Sequence, residues 1–219
     1  MSEEGRFTEL REKTQQLLQG SLRHVRAAAI AAALVPLASV AVSRAVVGAQ
    51  IQSGGVATVP SPCDFVTSGG FVLTDPARAM ANFGAHGGCK LGGFWGHVNY
   101  VDHSTQYHVD SLQITGYLTP FQGSNIRDVC GQATTNRATD PQPVLFRIRL
   151  IDNGEPGIAD QFGIRISNGL TDLYLVPTRL LNAGMGGGGN VQLHKDNPST
   201  FGPNPPPTEA QMCGGVAAP

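Results

Sequence analysis

Residues 143–168 read PVLFRIRLIDNGEPGIADQFGIRISN, and the reading of this stretch decides the fold. Val144, Phe146, Ile148 and Leu150 alternate with Leu145, Arg147, Arg149 and Ile151. After a break, Phe162, Ile164 and Ile166 alternate with Gly163, Arg165 and Ser167. A period of two sends successive side chains to opposite faces of a strand, so both segments read as strands with one apolar face. Between them Asp152, Asn153, Gly154, Glu155, Pro156 and Gly157 are residues that turns need, which predicts a hairpin.

Working outward, short β-type runs recur at 70–74, 79–85, 93–101, 107–118 and 128–134, and again at 172–176, 179–182 and 190–194. Gly, Pro, Asn or Asp separates most of them, and no helical period follows the first 49 residues. Nine to eleven short strands predict an all-β fold, an antiparallel β-sandwich or jelly roll, with an N-terminal leader helix. The glycine run 186–189 is expected to form a flexible loop. The glycine pairs at 69–70, 87–88 and 92–93 lack a following helix and a P-loop lysine, and are expected as turns rather than phosphate cradles.

Ahead of these runs, Arg23, His24 and Arg26 precede an uncharged apolar stretch, 27–42, interrupted by Pro36. It is short of the roughly 20 residues that span a bilayer. Val47, Gly48 and Ala49 supply small residues for a signal peptidase, so residues 1–49 read as a signal peptide with a mature start at Gln50. An uncleaved signal anchor is the alternative, since the region before the apolar stretch is long and amphipathic. Residues 50–62 read as an extended lead-in, 63–196 as the β domain, and 197–219 as a Pro-rich tail that is a linker, an end-cap or disordered.

The chain has 219 residues. Beyond residue 49 it carries nine Lys and Arg against twelve Asp and Glu. That balance gives no reason to expect nucleic acid as a partner, and membrane contact only through an uncleaved leader. All four cysteines, Cys63, Cys89, Cys130 and Cys213, follow the leader, and an even count behind an export signal reads as two disulfides. Three pairings are open. Cys89–Cys130 with Cys63–Cys213 is favoured, since the second pair would tie the ends of the domain together. No two cysteines have zinc-site C-x₂₋₄-C spacing.

Three constellations could carry chemistry. Asp152, Asn153, Glu155 and Asp160 gather oxygen ligands that could take calcium, although a turn capped by Asp152 explains the same residues and no cofactor is required. His86, His97, His103, His108 and His194, with Asp102 and Asp110 nearby, could hold zinc or copper if strands brought three together. Arg147, Arg149 and Arg165 share the outward face of the hairpin and could grip a carboxylate or sulfate of a polymer, or be solvated with acidic partners across the strand. Trp95 and Tyr100 are a further candidate as a sugar-stacking pair, set against packing in the core. No G-x-S-x-G, free cysteine or pair of carboxylates marks a nucleophile or glycosidase couple.

The segment FVTSGGFVLTDPARAMANFGAHGGCKLGGFWGHVNYVDH, followed by LIDNGEPGIADQFGIRI, resembles the post-COAP domain of bacterial exported and cell-surface proteins. The shared pattern is Gly69-Gly70-Phe71, Ala81-Asn82-Phe83-Gly84, Asp102-His103, and a D-x-G-E-P-G-x-x-D-x-F segment from Asp152 to Phe162. The likeness spans residues 65–195. It implies a secreted β-rich module, often appended to larger surface proteins, and assigns no catalytic residue. The expectation is therefore an exported, non-catalytic module with a binding or structural role at the bacterial surface or matrix, its partner an extracellular polysaccharide or surface protein. The rival readings are a dedicated glycan-binding module and a metal-dependent hydrolase built on the histidines.

Overall fold

The computed structural model describes residues 56–74, 79–182 and 186–219. The leader, its helix and cleavage site, and residues 50–55 of the lead-in lie outside the described residues. Nine strands are described: β1 (Phe65–Leu73), β2 (Met80–Lys90), β3 (Gly93–Asp102), β4 (Tyr107–Leu118), β5 (Ile126–Thr135), β6 (Val144–Ile151), β7 (Gln161–Ser167), β8 (Asp172–Leu180) and β9 (Gly187–His194). They form one antiparallel sheet in the order β8-β7-β6-β5-β4-β3-β2-β1-β9, a meander in which β9 returns to pair with β1. The expected all-β antiparallel fold is present, and its two layers belong to one curled, nearly closed sheet.

The β6–β7 hairpin pairs as its alternation predicts, with Phe146 opposite Ile166, Ile148 opposite Ile164, and Leu150 opposite Phe162, all fully buried. Phe162 stacks on Phe83 with ring centroids 3.9 Å apart, although β7 and β2 are five strands apart in the sheet. Such contact requires the sheet to curl until distant strands face each other. Register shifts in β4, between Ser111 and Gln113 and between Ile114 and Gly116, supply curvature of the kind that bulges introduce. Tyr100, Tyr107, Tyr117 and Phe146 join these rings inside, each at most 1% exposed.

Three expectations are corrected here. Gly69, Gly70, Gly87, Gly88 and residues 187–189 are not turns or a flexible loop but lie within strands. At Gly70 a Cβ would stand 2.1 Å from the Gly188 carbonyl oxygen, so β1 and β9 can approach only without one. Of the expected glycine turns, Gly92 lies in the β2–β3 turn at φ 83°. Residues 172–176 and 179–182 are not two strands, because β8 continues through Pro177 as far as Leu180. Proline is tolerated there because β8 is an edge of the sheet.

The third correction is the cysteine pairing, Cys63–Cys89 and Cys130–Cys213. Cys89 belongs to the interior of the curled sheet, whereas Cys130 belongs to a separate cluster on the outer face. Strand parity therefore separates the two cysteines that sequence order made attractive. Cys213 reaches Cys130 because the tail is an end-cap. Thr208 opens a capping box for the short helix α1 (Glu209–Cys213), and Met212 and Cys213 pack on Leu118 and Cys130 with Ala57. A Cβ at Gly116 would lie 2.4 Å from Met212 Cβ, so that glycine leaves the helix its seat.

Candidate functional site

The loop 152–160 joins the β6–β7 hairpin to β9 across the gap of the nearly closed sheet. The Asp160 carboxylate, fully buried, accepts from Asn153 N at 2.8 Å and Val191 N at 2.7 Å. Asp152 accepts from Gly154 N at 2.9 Å and Leu193 N at 2.7 Å. Val191 and Leu193 lie on β9, a sheet edge, whose outward N–H groups would otherwise have no ladder partner. Glu155 adds a bond from Asn190 Nδ2 at 3.1 Å, and Asn153 Oδ1 accepts from Asn125 Nδ2 at 2.8 Å. Gly157, at φ 79°, faces Asn190 Oδ1, which a Cβ would approach to 2.2 Å. The four candidate calcium ligands are thus engaged with the protein's own donors, and the carboxylates act as a clamp across the seam.

The arginines do share one outer face, with Arg147 opposite Arg165. Arg147 is buried and Arg149 and Arg165 are partly buried there, and of the two expectations for this face the acidic partners on neighbouring strands are present. Arg147, 3% exposed, binds Asp128 through Nε at 3.0 Å and Nη2 at 2.5 Å, and its Nη1 reaches Glu209 at 2.6 Å and the Val216 carbonyl at 3.1 Å. Arg149 binds both oxygens of the same buried Asp128 at 2.8 Å. Arg165 pairs with Asp172 and reaches the Ala218 carbonyl. Glu209 and the carbonyls of Val216 and Ala218 thus lay the C-terminal segment against Arg147 and Arg165.

The histidines divide. His103 and His108 are exposed beside the β3–β4 turn. Asp102, next to His103, is buried and accepts from Ser104, Thr105 and the Tyr174 hydroxyl, which is in turn bonded to Tyr100. Burial pushes the Asp102 carboxyl up, but these hydrogen bonds outweigh it and hold it below the ordinary carboxylate value. Burial raises the Tyr100 and Tyr174 phenols, which stay neutral donors. Among the described residues, no three His, Cys, Asp or Glu side chains assemble into a metal-holding group.

The other three histidines lie with aromatic rings on the outer face of β9, β1, β2 and β3. His194 stacks on Phe65 at 4.3 Å between centroids, Phe65 lies 6.0 Å from Trp95, Trp95 5.3 Å from His86, and His86 6.3 Å from His97. Register explains the row. His194 pairs with Phe65, Phe65 with Gly88 and Gly88 with Trp95, while His86 pairs with His97. Gly88 leaves room between the two large rings, since a Cβ there would be 2.4 Å from Phe65 Cβ. Thr67 holds His194 Nε2 at 2.8 Å. Ser111 and Asp110 each hold one nitrogen of His97 at 3.1 Å, and Trp95 Nε1 donates to the Cys89 carbonyl. Burial, then the neighbouring His97, lowers the His86 imidazole below its ordinary value.

Trp95 and Tyr100, coupled in sequence, are separated by parity. Tyr100 is fully buried inside, whereas Trp95 is half-buried outside. Phe65 is the participant that sequence reasoning missed, and His194 reads in the sequence as a metal-ligand candidate rather than as a member of an aromatic row. The usable signal was the shared odd parity of Trp95 and His97, opposite to Val98 and Tyr100. Cross-strand partners required the register. No family model, curated protein or solved structure matches the chain.

Proposed function

We propose that this chain is an exported, non-catalytic saccharide-binding module of the bacterial surface or extracellular matrix, of the post-COAP kind. The observation that carries the reading is the row His194–Phe65–Trp95–His86–His97 on an outward sheet face, beside an interior filled by its own side chains. Aromatic rings with polar edges suit the apolar faces and hydroxyl rims of pyranose rings. Two disulfides support an oxidising compartment, in line with the leader. Asp152, Gly154, Glu155, Asp160 and Phe162 of the D-x-G-E-P-G-x-x-D-x-F segment each have a contact in the seam or core, which supports reading it as a structural signature rather than a catalytic one.

Affinity electrophoresis through gels containing bacterial exopolysaccharides tests the proposal. Retardation of the wild type, lost in Trp95→Ala at an unchanged melting temperature, is expected. Equal mobility of both proteins in every polymer would refute it.

A further inference from the structure

Resting on the saccharide reading, we infer that the ligand recognised by the Trp95 face is an anionic saccharide, one carrying carboxylate or sulfate groups. The argument is one of unpaired charge. Among the described residues, Arg127, Arg137, Arg147, Arg149 and Arg165 all form ion pairs, and Arg179 is bonded to the Leu73 and Pro177 carbonyls. The lysines are different. Lys90 and Lys195, the only lysines among the described residues, form no salt bridge there and are exposed, and Lys90 stands at the row of rings. Lys90 Nζ stands 5.7 Å from the centre of the Trp95 ring, and Lys195 follows His194 directly.

The groups facing the row from each strand are Thr67 on β1, His86 and Lys90 on β2, His97 and Asn99 on β3, Asp110 on β4, and Gln192 and His194 on β9. Asp110 is the carboxylate in this set, and it is already held by His97 and Asn99. Asp196, beyond Lys195, lies past the end of β9. The charge left without an ionic partner on the face is therefore positive, while the domain as a whole is acidic. A neutral sugar would stack on the rings and leave Lys90 unused. A uronate or sulfated sugar stacked at Trp95 would bring an anion within reach of the ammonium, at an exposed site where one such contact contributes up to about fivefold in affinity.

The test uses the full chain with hexameric oligogalacturonate and oligoalginate, each beside its carboxyl-reduced counterpart, in which every carboxylate is a primary alcohol. Titration at low salt is expected to show each acidic oligomer binding about fivefold tighter than its reduced partner, a difference that shrinks in 0.5 M salt. Lys90→Gln should remove most of the difference while leaving the reduced oligomers' affinity and the melting temperature unchanged. Equal affinity for acidic and reduced oligomers overturns the anionic inference and leaves the saccharide reading standing. Binding of neither form overturns both. An acidic preference untouched by Lys90→Gln, or an adventitious salt-insensitive association, overturns the assignment to this face.

Discussion

Asp160→Asn is the most informative single change in the fold. The wild-type carboxylate is fully buried and gives one oxygen to Asn153 N and the other to Val191 N. Asparagine can keep one of those bonds, but its amide nitrogen must then face the second N–H, leaving a buried donor without an acceptor. Hydrogen bonds to a charged group are worth about 1.5–3 kcal/mol, and an orphaned buried donor costs about 1–3 kcal/mol. Together they set a loss of about 3 kcal/mol for the substitution. For a domain of this size about 3 °C accompanies each kcal/mol, so the melting temperature should fall by about 9 °C. Thermal unfolding by circular dichroism, run in calcium and in chelator, is the assay. A seam clamp gives the same drop in both solutions and a wild-type melt that ignores calcium. An Asn variant as stable as wild type, or a wild-type melting point raised by calcium and not raised in the variant, would refute the clamp and favour a cation at the loop.

Other outcomes follow from the same geometry. Non-reducing peptide mapping should join Cys63 to Cys89 and Cys130 to Cys213. With sequence separations of 26 and 83, the chain-entropy relation gives about 3.5 and about 4.5 kcal/mol respectively, so removing the Cys130–Cys213 bridge should lower the melting point more. Phe162→Ala should cost about 3–5 kcal/mol in urea unfolding, because it empties the stack against Phe83 in the sealed interior. Asp102, with a carboxyl pKa held down in the folded state, contributes stability that is fully present above its unfolded value near 3.8 and is lost as pH falls through the lower, folded value. Asp102→Asn should therefore be less stable than wild type at pH 6, with the gap closing in acid; a constant gap from pH 6 to pH 2 would contradict the assignment.

The fold was legible wherever alternation was strict. The β6–β7 hairpin, with Phe146, Ile148 and Leu150 against Ile166, Ile164 and Phe162, could be drawn before any coordinate was known, because a buried face enforces period two. Glycine misled, since Gly70, Gly88 and Gly189 sit in strands where neighbours come too close for a Cβ, and local propensity does not contain that information. The disulfides misled for a related reason. Cys89 and Cys130 point to opposite faces of the sheet, and the face of Cys130 has value only once the tail is known to pack outside. Arg147 was correctly placed on the outer face, but its burial depends on Glu209 and Val216, far away in sequence. The row at Trp95 needs three register relations at once, so its members look unrelated along the chain.

Trp95 is the single tryptophan of the chain, so its fluorescence reports on the proposed face alone. Titrating the full chain with oligogalacturonate while following that emission tests the central claim most directly. A saturable change in intensity or wavelength, absent in a Phe65→Ala, His194→Ala variant that melts like wild type, is the predicted result. Saturable binding by calorimetry with an unperturbed Trp95 emission would place the ligand elsewhere and contradict it.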